Sequence, residues 1–361
     1  LALFARIICG KRAVSDHCHF ATTIFPYFCR INILCMQTLY PFKFGPLFKE
    51  KIWGGKKINQ LLGLASDFPE SCGEAWLLSG VEGNPTIVTN GYLAGNELNE
   101  LVEVFMGDLV GDNVYDRFGD EFPILVKVLD SNDWLSIQVH PDDELAQERG
   151  IGYGKTEMWY VMQADSHAQL ISGFNQPYDK EQYVNKLETK SLKDMLNYES
   201  VRKGDVFFIP AGRVHALGPG CLIAEIQQTS DTTYRIYDWD RVDDQGNSRE
   251  LHTGEARDAI DFTFHKKYKT DYQPVPDQSV SLVQSPFFTT NIIALKQAIH
   301  KDYSELDSFV ILMCTEGGFE LVCETETYAV GLGEAILIPK IIDEVRIVPK
   351  NDAVILEVYI A

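Results

Sequence analysis

The sequence predicts a mainly β protein made of two β-sandwich or barrel units with a small helical insertion. Three observations carry this. Short runs of alternating apolar and polar residues, punctuated by Gly and Pro, recur from Met36 onward, the pattern of half-buried strands in a sandwich or barrel. Gly204-Asp-Val-Phe-Phe-Ile-Pro210 returns as Gly333-Glu-Ala-Ile-Leu-Ile-Pro339, so one architecture is used twice. A length of 361 residues favours two domains over one.

The first 35 residues differ from the rest. They hold Cys9, Cys18, Cys29 and Cys35, four of the eight cysteines, with four basic residues and the single acid Asp16. They have neither helical nor strand periodicity, no compact apolar core and no clear small-residue cleavage site. Residues 1–35 therefore read as a non-native or unstructured leader, with Met36 as the natural start. A helical segment is expected from Asn96 to Phe105, with Asn96 as its cap and Leu98, Leu101, Val102 and Phe105 at helical spacing. Strands are expected at Ile124–Leu129 and Trp134–His140. In the latter, alternation puts Leu135, Ile137 and Val139 on an outer face and Ser136, Gln138 and His140 on an inner one. A second helical segment is expected between Asp179 and Tyr198, with Ser191 and Asp194 as a capping pair for its later half. Strands Val206–Ile209 and Leu222–Gln227 complete a first unit over 36–265. Lys266–Gln278, rich in Lys, Tyr, Pro and Asp, reads as a linker. Strands Phe309–Cys314, Ala335–Ile338 and Val354–Tyr359 belong to a second unit over 280–361.

Charge narrows the function. There are 32 Lys and Arg against 52 Asp and Glu, a formal net charge of −20. Such a surface repels polyanions and argues against nucleic acid or an anionic membrane as partner. No apolar run reaches the ~20 residues of a membrane span. An anionic small substrate would need a local positive site. Cys72, Cys221, Cys314 and Cys323 are scattered without a CxxC pair, as in reduced, buried thiols of a cytoplasmic protein.

Chemistry concentrates in three segments. Gln138 and His140 share the inner face of their strand. Lys155 and Glu157 share a face by the same period of two. In Gly204-x5-Pro210-x-Gly212-x2-His215 a strand ends in a tight turn that presents a histidine. Gln138, His140, Glu157 and His215 form an N/O ligand set suited to a divalent Lewis acid such as Zn²⁺. Taken singly, a strand-end histidine is a satisfied structural residue and Glu157 half of a surface ion pair with Lys155. The agreement of the three segments on one shared interior sets a metal site level with the structural reading.

Gly204–His215 fits the second cupin motif at every fixed position, while the first motif reads Gln138-x-His140 in place of His-x-His. That variant resembles the mannose-6-phosphate isomerase family. So do Ile52-Trp-Gly-Gly55, Cys72-Gly-Glu-Ala-Trp76, Lys155-Thr-Glu-Met-Trp-Tyr160 and Glu225-Ile-Gln-Gln-Thr-Ser-Asp-Thr-Thr-Tyr-Arg-Ile-Tyr-Asp-Trp239. The resemblance covers Tyr40 to Ala361. It implies two cupin-type jelly-roll barrels, the first catalytic and the second a degenerate copy without metal ligands. It implies one Zn²⁺ per chain on Gln138, His140, Glu157 and His215. It further implies that Lys155, Asp231 and Arg235 line a sugar-phosphate pocket as catalytic or substrate-binding groups, with Ser136 near the phosphate. Arg213 is a further phosphate candidate. The reaction implied is interconversion of mannose 6-phosphate and fructose 6-phosphate. Two rivals are an iron-dependent cupin oxygenase, which normally keeps two histidines in the first motif, and a non-catalytic sugar-binding cupin. The sequence does not fix the oligomeric state, and a monomer would suffice.

Overall fold

The protein is described from a computed structural model over residues 39–63, 71–242 and 245–361. The expected leader at 1–35 and the start at Met36 lie outside these residues. In chain order the strands are β1 (Phe44–Gly45), β2 (Leu47–Gly55), β3 (Cys72–Leu78), β4 (Ile87–Val88), β5 (Ile124–Ser131), β6 (Ile137–Val139), β7 (Glu157–Ala164), β8 (Gln169–Phe174), β9 (Leu196–Ser200), β10 (Val206–Ile209), β11 (His215–Leu217), β12 (Cys221–Gln228) and β13 (Tyr234–Tyr237). They continue as β14 (Ser279–Gln284), β15 (Thr289–Leu295), β16 (Ile299–Asp302), β17 (Val310–Glu316), β18 (Gly318–Cys323), β19 (Glu326–Gly331), β20 (Ala335–Ile338), β21 (Glu344–Pro349) and β22 (Ala353–Tyr359). The helices are α1 (Lys57–Leu62), α2 (Leu98–Val110), α3 (Asp112–Phe118), α4 (Asp143–Glu148), α5 (Lys180–Glu188) and α6 (Thr253–Ala259).

A six-stranded sheet, β10-β7-β12-β5-β2-β3, faces a five-stranded one, β13-β6-β11-β8-β9; further along the chain, β14-β15-β22-β17-β20 faces β16-β21-β18-β19. The second pair repeats eight strands of the first with the strand number raised by ten. β5-β12-β7-β10 returns as β15-β22-β17-β20, and β6-β11-β8-β9 as β16-β21-β18-β19. The two copies of the seven-residue motif are the edge strands β10 and β20, each entered through a glycine at positive φ, 86° at Gly204 and 79° at Gly333.

Strand alternation sorts the side chains into separate cores. On β7, Trp159 and Val161 point into the first barrel, where Leu129, Leu170, Phe207, Leu217 and Ile223 fill one end. Met158, Tyr160 and Met162 point outward into a large core shared with α2, α3 and the outer face of the second barrel (Ile292, Ile311, Met313, Leu356, Val358). The second barrel is filled by Ile293, Val310, Leu312, Phe319, Leu321 and Ile347. α5 and α6 cover the outer face of the five-stranded sheet through Tyr183 and Ala256.

Several expected elements shift. The first helix is capped by Glu97, not Asn96, through a capping box with Glu100, and it runs on to Val110 across a kink at Met106 (φ 46°). Asn96 instead donates to the Leu93 carbonyl. The second helical segment stops at Glu188; Leu192–Met195 is a 3₁₀ turn without a side-chain cap from Ser191, and Tyr198 already lies in β9. Ordered strand in Trp134–His140 is confined to β6, so Leu135 escapes the alternation and packs inside the barrel with Trp159 and Leu217, not on the outer face. The linker has neither helix nor strand but is tied down: Tyr268 is buried, and Tyr272 donates to the Gly204 carbonyl at 2.6 Å. Cys72, Cys221, Cys314 and Cys323 are buried free thiols.

Candidate active site

The open end of the first barrel is polar because two rows of inward-facing residues meet there. On the five-stranded sheet Arg235 lies opposite Gln138, and Gln138 opposite His215. Cross-strand partners share a face, so the three stand side by side. On the six-stranded sheet Glu157 lies opposite Gln227, and one rung deeper Trp159, Glu225, Lys127 and Trp76 stand in register. The ligating atoms of His140, Glu157 and His215 all lie within 4.8 Å of one another, the single such group of three among the described residues.

Backbone contacts aim these groups. His140 Nδ1 donates to the Thr232 carbonyl and His215 Nδ1 to the Arg213 carbonyl, each at 2.8 Å. A carbonyl accepts only, so both N–H groups are outward and both Nε2 lone pairs face the centre. Gly212 joins the two histidine segments. Its N–H donates to the His140 carbonyl at 2.9 Å, its own carbonyl accepts from Asp261 at 2.8 Å, and its φ of 85° is a left-handed value that favours glycine. Burial keeps both imidazoles neutral: it pulls the His140 pKa down to about 3, helped by the charge of Lys155, and lowers that of His215. Burial opposes ionisation of Glu157, but the Lys155 ammonium outweighs it and holds the carboxyl well below the usual range.

His140 Nε2 and both carboxylate oxygens of Glu157 are buried without a hydrogen-bond partner. Three converging acceptors without hydrogen bonds in a dry interior are costly, and the Lys155 ammonium, 3.3 Å from Glu157 Oε2, offsets only one of them; a cation at the centre would join all three. The Gln138 amide nitrogen donates to His215 Nε2 at 3.2 Å while its oxygen accepts from Ser136 Oγ at 3.3 Å, so Gln138 could offer its oxygen to the same centre only with the amide turned over. Two neutral imidazoles, a carboxylate and an amide oxygen fit a divalent cation.

Lys155 Nζ lies 3.3 Å from Glu157 Oε2 and is buried. Burial works against its charge, yet Glu157, Glu225 and Asp231 raise the ammonium pKa above its ordinary value. Ser136 is buried, its Oγ 3.3 Å from Gln138 Oε1. Asp231 is exposed and makes no ion pair with Arg235; its charge acts on Lys155. Arg235 Nη1 donates instead to the Glu250 carbonyl at 2.7 Å, and its Nε is buried without a partner. Arg213 turns away from the site, donating to the Phe208 carbonyl and lying over the Tyr268 ring.

Sequence reading missed two groups. One is the buried row beneath the ligands: Glu225 pairs with Lys127 at 3.4 Å and accepts from Trp159 Nε1 at 2.8 Å, and Glu74 accepts from Trp76 Nε1 at 2.7 Å and pairs with Lys51 at 3.0 Å. A lone charge inside an apolar strand, as in Ile124-Leu-Val-Lys-Val-Leu129 or Cys221-Leu-Ile-Ala-Glu-Ile226, was the available signal. The other is the cluster of Arg241, Arg249 and Asp238 beside Arg235.

A duplicated jelly roll with a His/Glu/His group inside one copy defines a cupin with a candidate metal site. Residues 42–171 match the family described as phosphomannose isomerase type I, catalytic domain, and residues 278–356 match the mannose-6-phosphate isomerase cupin domain. The chain is 35% identical over 306 residues to the mannose-6-phosphate isomerase of Streptococcus mutans, covering 82% of this chain and 93% of that protein. It is 33% identical over 310 residues to ManA of Bacillus subtilis, covering 84% and 94%. The crystal structure of the Bacillus subtilis mannose 6-phosphate isomerase superposes with a TM-score of 0.77 at 32% identity, over 89% of this chain and 99% of that one. This chain belongs to the type I phosphomannose isomerase family.

Proposed function

We propose that this chain is a zinc-dependent aldose–ketose isomerase that interconverts mannose 6-phosphate and fructose 6-phosphate through a cis-enediol. The observation that carries the reading is the set of unpartnered buried acceptors, His140 Nε2 and both oxygens of Glu157, packed against His215 Nε2. Gln138, His140, Glu157 and His215 would hold one Zn²⁺ per chain. The bound ion would supply Lewis acidity toward the negative charge that builds on the sugar carbonyl oxygen.

The chain's own residues supply the rest. Lys155 and Asp231 are the titratable groups beside the ligand set, and we assign the C1–C2 proton transfer to that side of the pocket. Ser136, next to Gln138, binds the sugar. Arg235, in line with Gln138 and His215, binds the anionic end. Burial and the charges of Arg249 and Arg241 lower the Arg235 pKa, which marks a concentration of positive charge in a protein of net charge −20. Such a focus draws a sugar phosphate into a pocket that the rest of the surface would repel. Among the described residues no helix is long and apolar enough to cross a membrane. We assign the enzyme to the cytoplasm, where its unpaired thiols stay reduced.

The test is a coupled assay of mannose 6-phosphate turnover on chelator-stripped holoenzyme, with and without added Zn²⁺. Turnover that falls at least 100-fold on stripping and returns with zinc supports the reading. Tight zinc binding with no turnover of this substrate would overturn it.

A further inference from the structure

We propose that Asp238 is the positioning residue for the anionic end of the substrate, locking Arg241 and Arg249 in place beside Arg235; this rests on the isomerase reading. Asp238 is 5% exposed. It accepts from Arg249 Nε at 2.7 Å and from Arg249 Nη2, a side-on bidentate pair, and from Arg241 Nη2 at 2.6 Å. One buried carboxylate thus fixes two guanidinium planes. Arg241 is fixed further through Nη1, which donates to the Trp134 carbonyl at 2.7 Å and lies 3.3 Å from Asp133.

The backbone at this point is strained. Arg241 N–H donates to the Asp238 carbonyl at 3.1 Å, closing a turn whose central residues, Trp239 and Asp240, have φ of 58° and 55°. Two successive positive φ values are ordinarily the place of Asn-Gly, and a bulky residue there is an outlier. The surroundings enforce it. Trp239 Nε1 donates to the Leu135 carbonyl at 2.7 Å, its ring lies 4.9 Å from Trp134 and 5.7 Å from Tyr237, and Tyr237 donates to Asp240 at 2.8 Å. Strain held in place by several independent contacts is the pattern of a site that needs one geometry. What the turn achieves is to bury Asp238 while bringing Arg241 back alongside Arg235.

The cluster is also unfinished. Three guanidiniums gather around one buried acid, with Asp133 and Glu250 exposed at the rim. Arg235 Nε and Arg241 Nε are both buried without a partner. Two unmatched guanidinium donors on neighbouring arginines call for an anion with several acceptor oxygens, which a phosphate monoester provides. Removing Asp238 would free both arginines to splay toward the acidic surface, so substrate capture would suffer more than the chemical step.

The test uses the zinc-loaded enzyme, with mannose 6-phosphate as substrate and inorganic phosphate as competitive inhibitor. Asp238→Asn is expected to raise KM and the phosphate Ki by tenfold or more, with kcat within about twofold and metal content unchanged. A lower Tm with KM and Ki at wild-type values would overturn the positioning role and leave Asp238 a brace. If Asp238→Asn does not fold, Arg249→Lys breaks the same bidentate pair from a half-exposed side chain, and an unchanged Ki there overturns the proposal equally. Arg235→Ala separates the two levels. If it leaves phosphate inhibition intact, the anion-site reading fails; if it weakens inhibition while Asp238→Asn does not, only the inference about Asp238 fails.

Discussion

His140 and His215 each spend their one N–H on a backbone carbonyl, and this is why both face the centre as acceptors. The carbonyls come from Thr232 and Arg213, in loops that also carry pocket residues, so imidazole orientation and pocket shape are set together. His140→Ala is expected to lose bound metal and turnover together, each by well over tenfold, because a buried Glu157 facing one imidazole no longer makes a metal site. Metal content by elemental analysis beside the coupled assay checks this; full metal occupancy with normal turnover would remove His140 from the site. Period-two alternation made the ligand positions readable, since Gln138 and His140, like Lys155 and Glu157, are polar residues two apart. Lys127 follows the same rule but stands alone in an apolar strand, where a single charge carries no spacing to read, whereas Glu225 and Gln227 are two apart and went unread.

Elements matter here through their ends. β10 delivers a turn, the turn delivers Gly212, and Gly212 ties the His140 and His215 segments together. A Cβ at Gly212 would lie 3.0 Å from the Ala259 carbonyl and 3.1 Å from Asp261 N, backbone atoms that do not move freely. Gly63 is a control, left-handed with φ of 59° and ψ of 38° and with nothing within 4 Å of an added Cβ. Gly63→Ala should show the cost of a left-handed alanine alone, about 1–2 kcal/mol. Gly212→Ala should lose more stability than that and also weaken metal retention against a chelator. Thermal melts with metal-release rates measure both; equal losses in the two variants would mean that crowding at Gly212 is absorbed. The helical element after Asp179 was legible from its apolar spacing, and Leu192–Met195 was misread, because Ser191 and the two apolar residues Leu192 and Met195 belong to one 3₁₀ turn.

At the scale of the molecule the two barrels repeat strand for strand, yet the sequence kept one seven-residue trace of it. The rest vanished because inner positions were refilled. Glu157, opposite Ile209, has Val310, opposite Ile338, as its counterpart; Trp159 has Leu312. One inner acid survives: Glu225 lies opposite Trp159, and Glu357 opposite Leu312. In the second barrel Glu357 is saturated, bound by Lys301 and Tyr303 at 2.8 Å, Ser279 at 2.7 Å and Asn291 at 3.0 Å. Burial opposes its ionisation, but Lys301 and these donors prevail and lower its pKa. Glu74 in the first barrel behaves alike, with Lys127 and Lys51 overcoming burial to bring it down to about 2. A carboxyl whose folded pKa lies below its unfolded one contributes stability above the unfolded value, and that stability is lost as pH falls toward the folded one. For Glu74 the window runs from 4.5 down to about 2 and amounts to at most about 3 kcal/mol. Glu357 tests the same sign far from the chemistry. At pH 7 Glu357→Gln should melt below wild type, by the equivalent of about 2–3 kcal/mol, the low end for a broken buried pair because Lys301 is one-fifth exposed. As pH drops below about 4.5 the unfolded chain takes up the proton first, and the stability from the ionised carboxyl is lost progressively until the folded protein is protonated as well and comes to resemble the amide. The two melting temperatures should therefore converge as the pH is lowered below about 4.5, while turnover at neutral pH stays at the wild-type level. A gap that keeps its size across the range would show that Glu357 acts through shape alone.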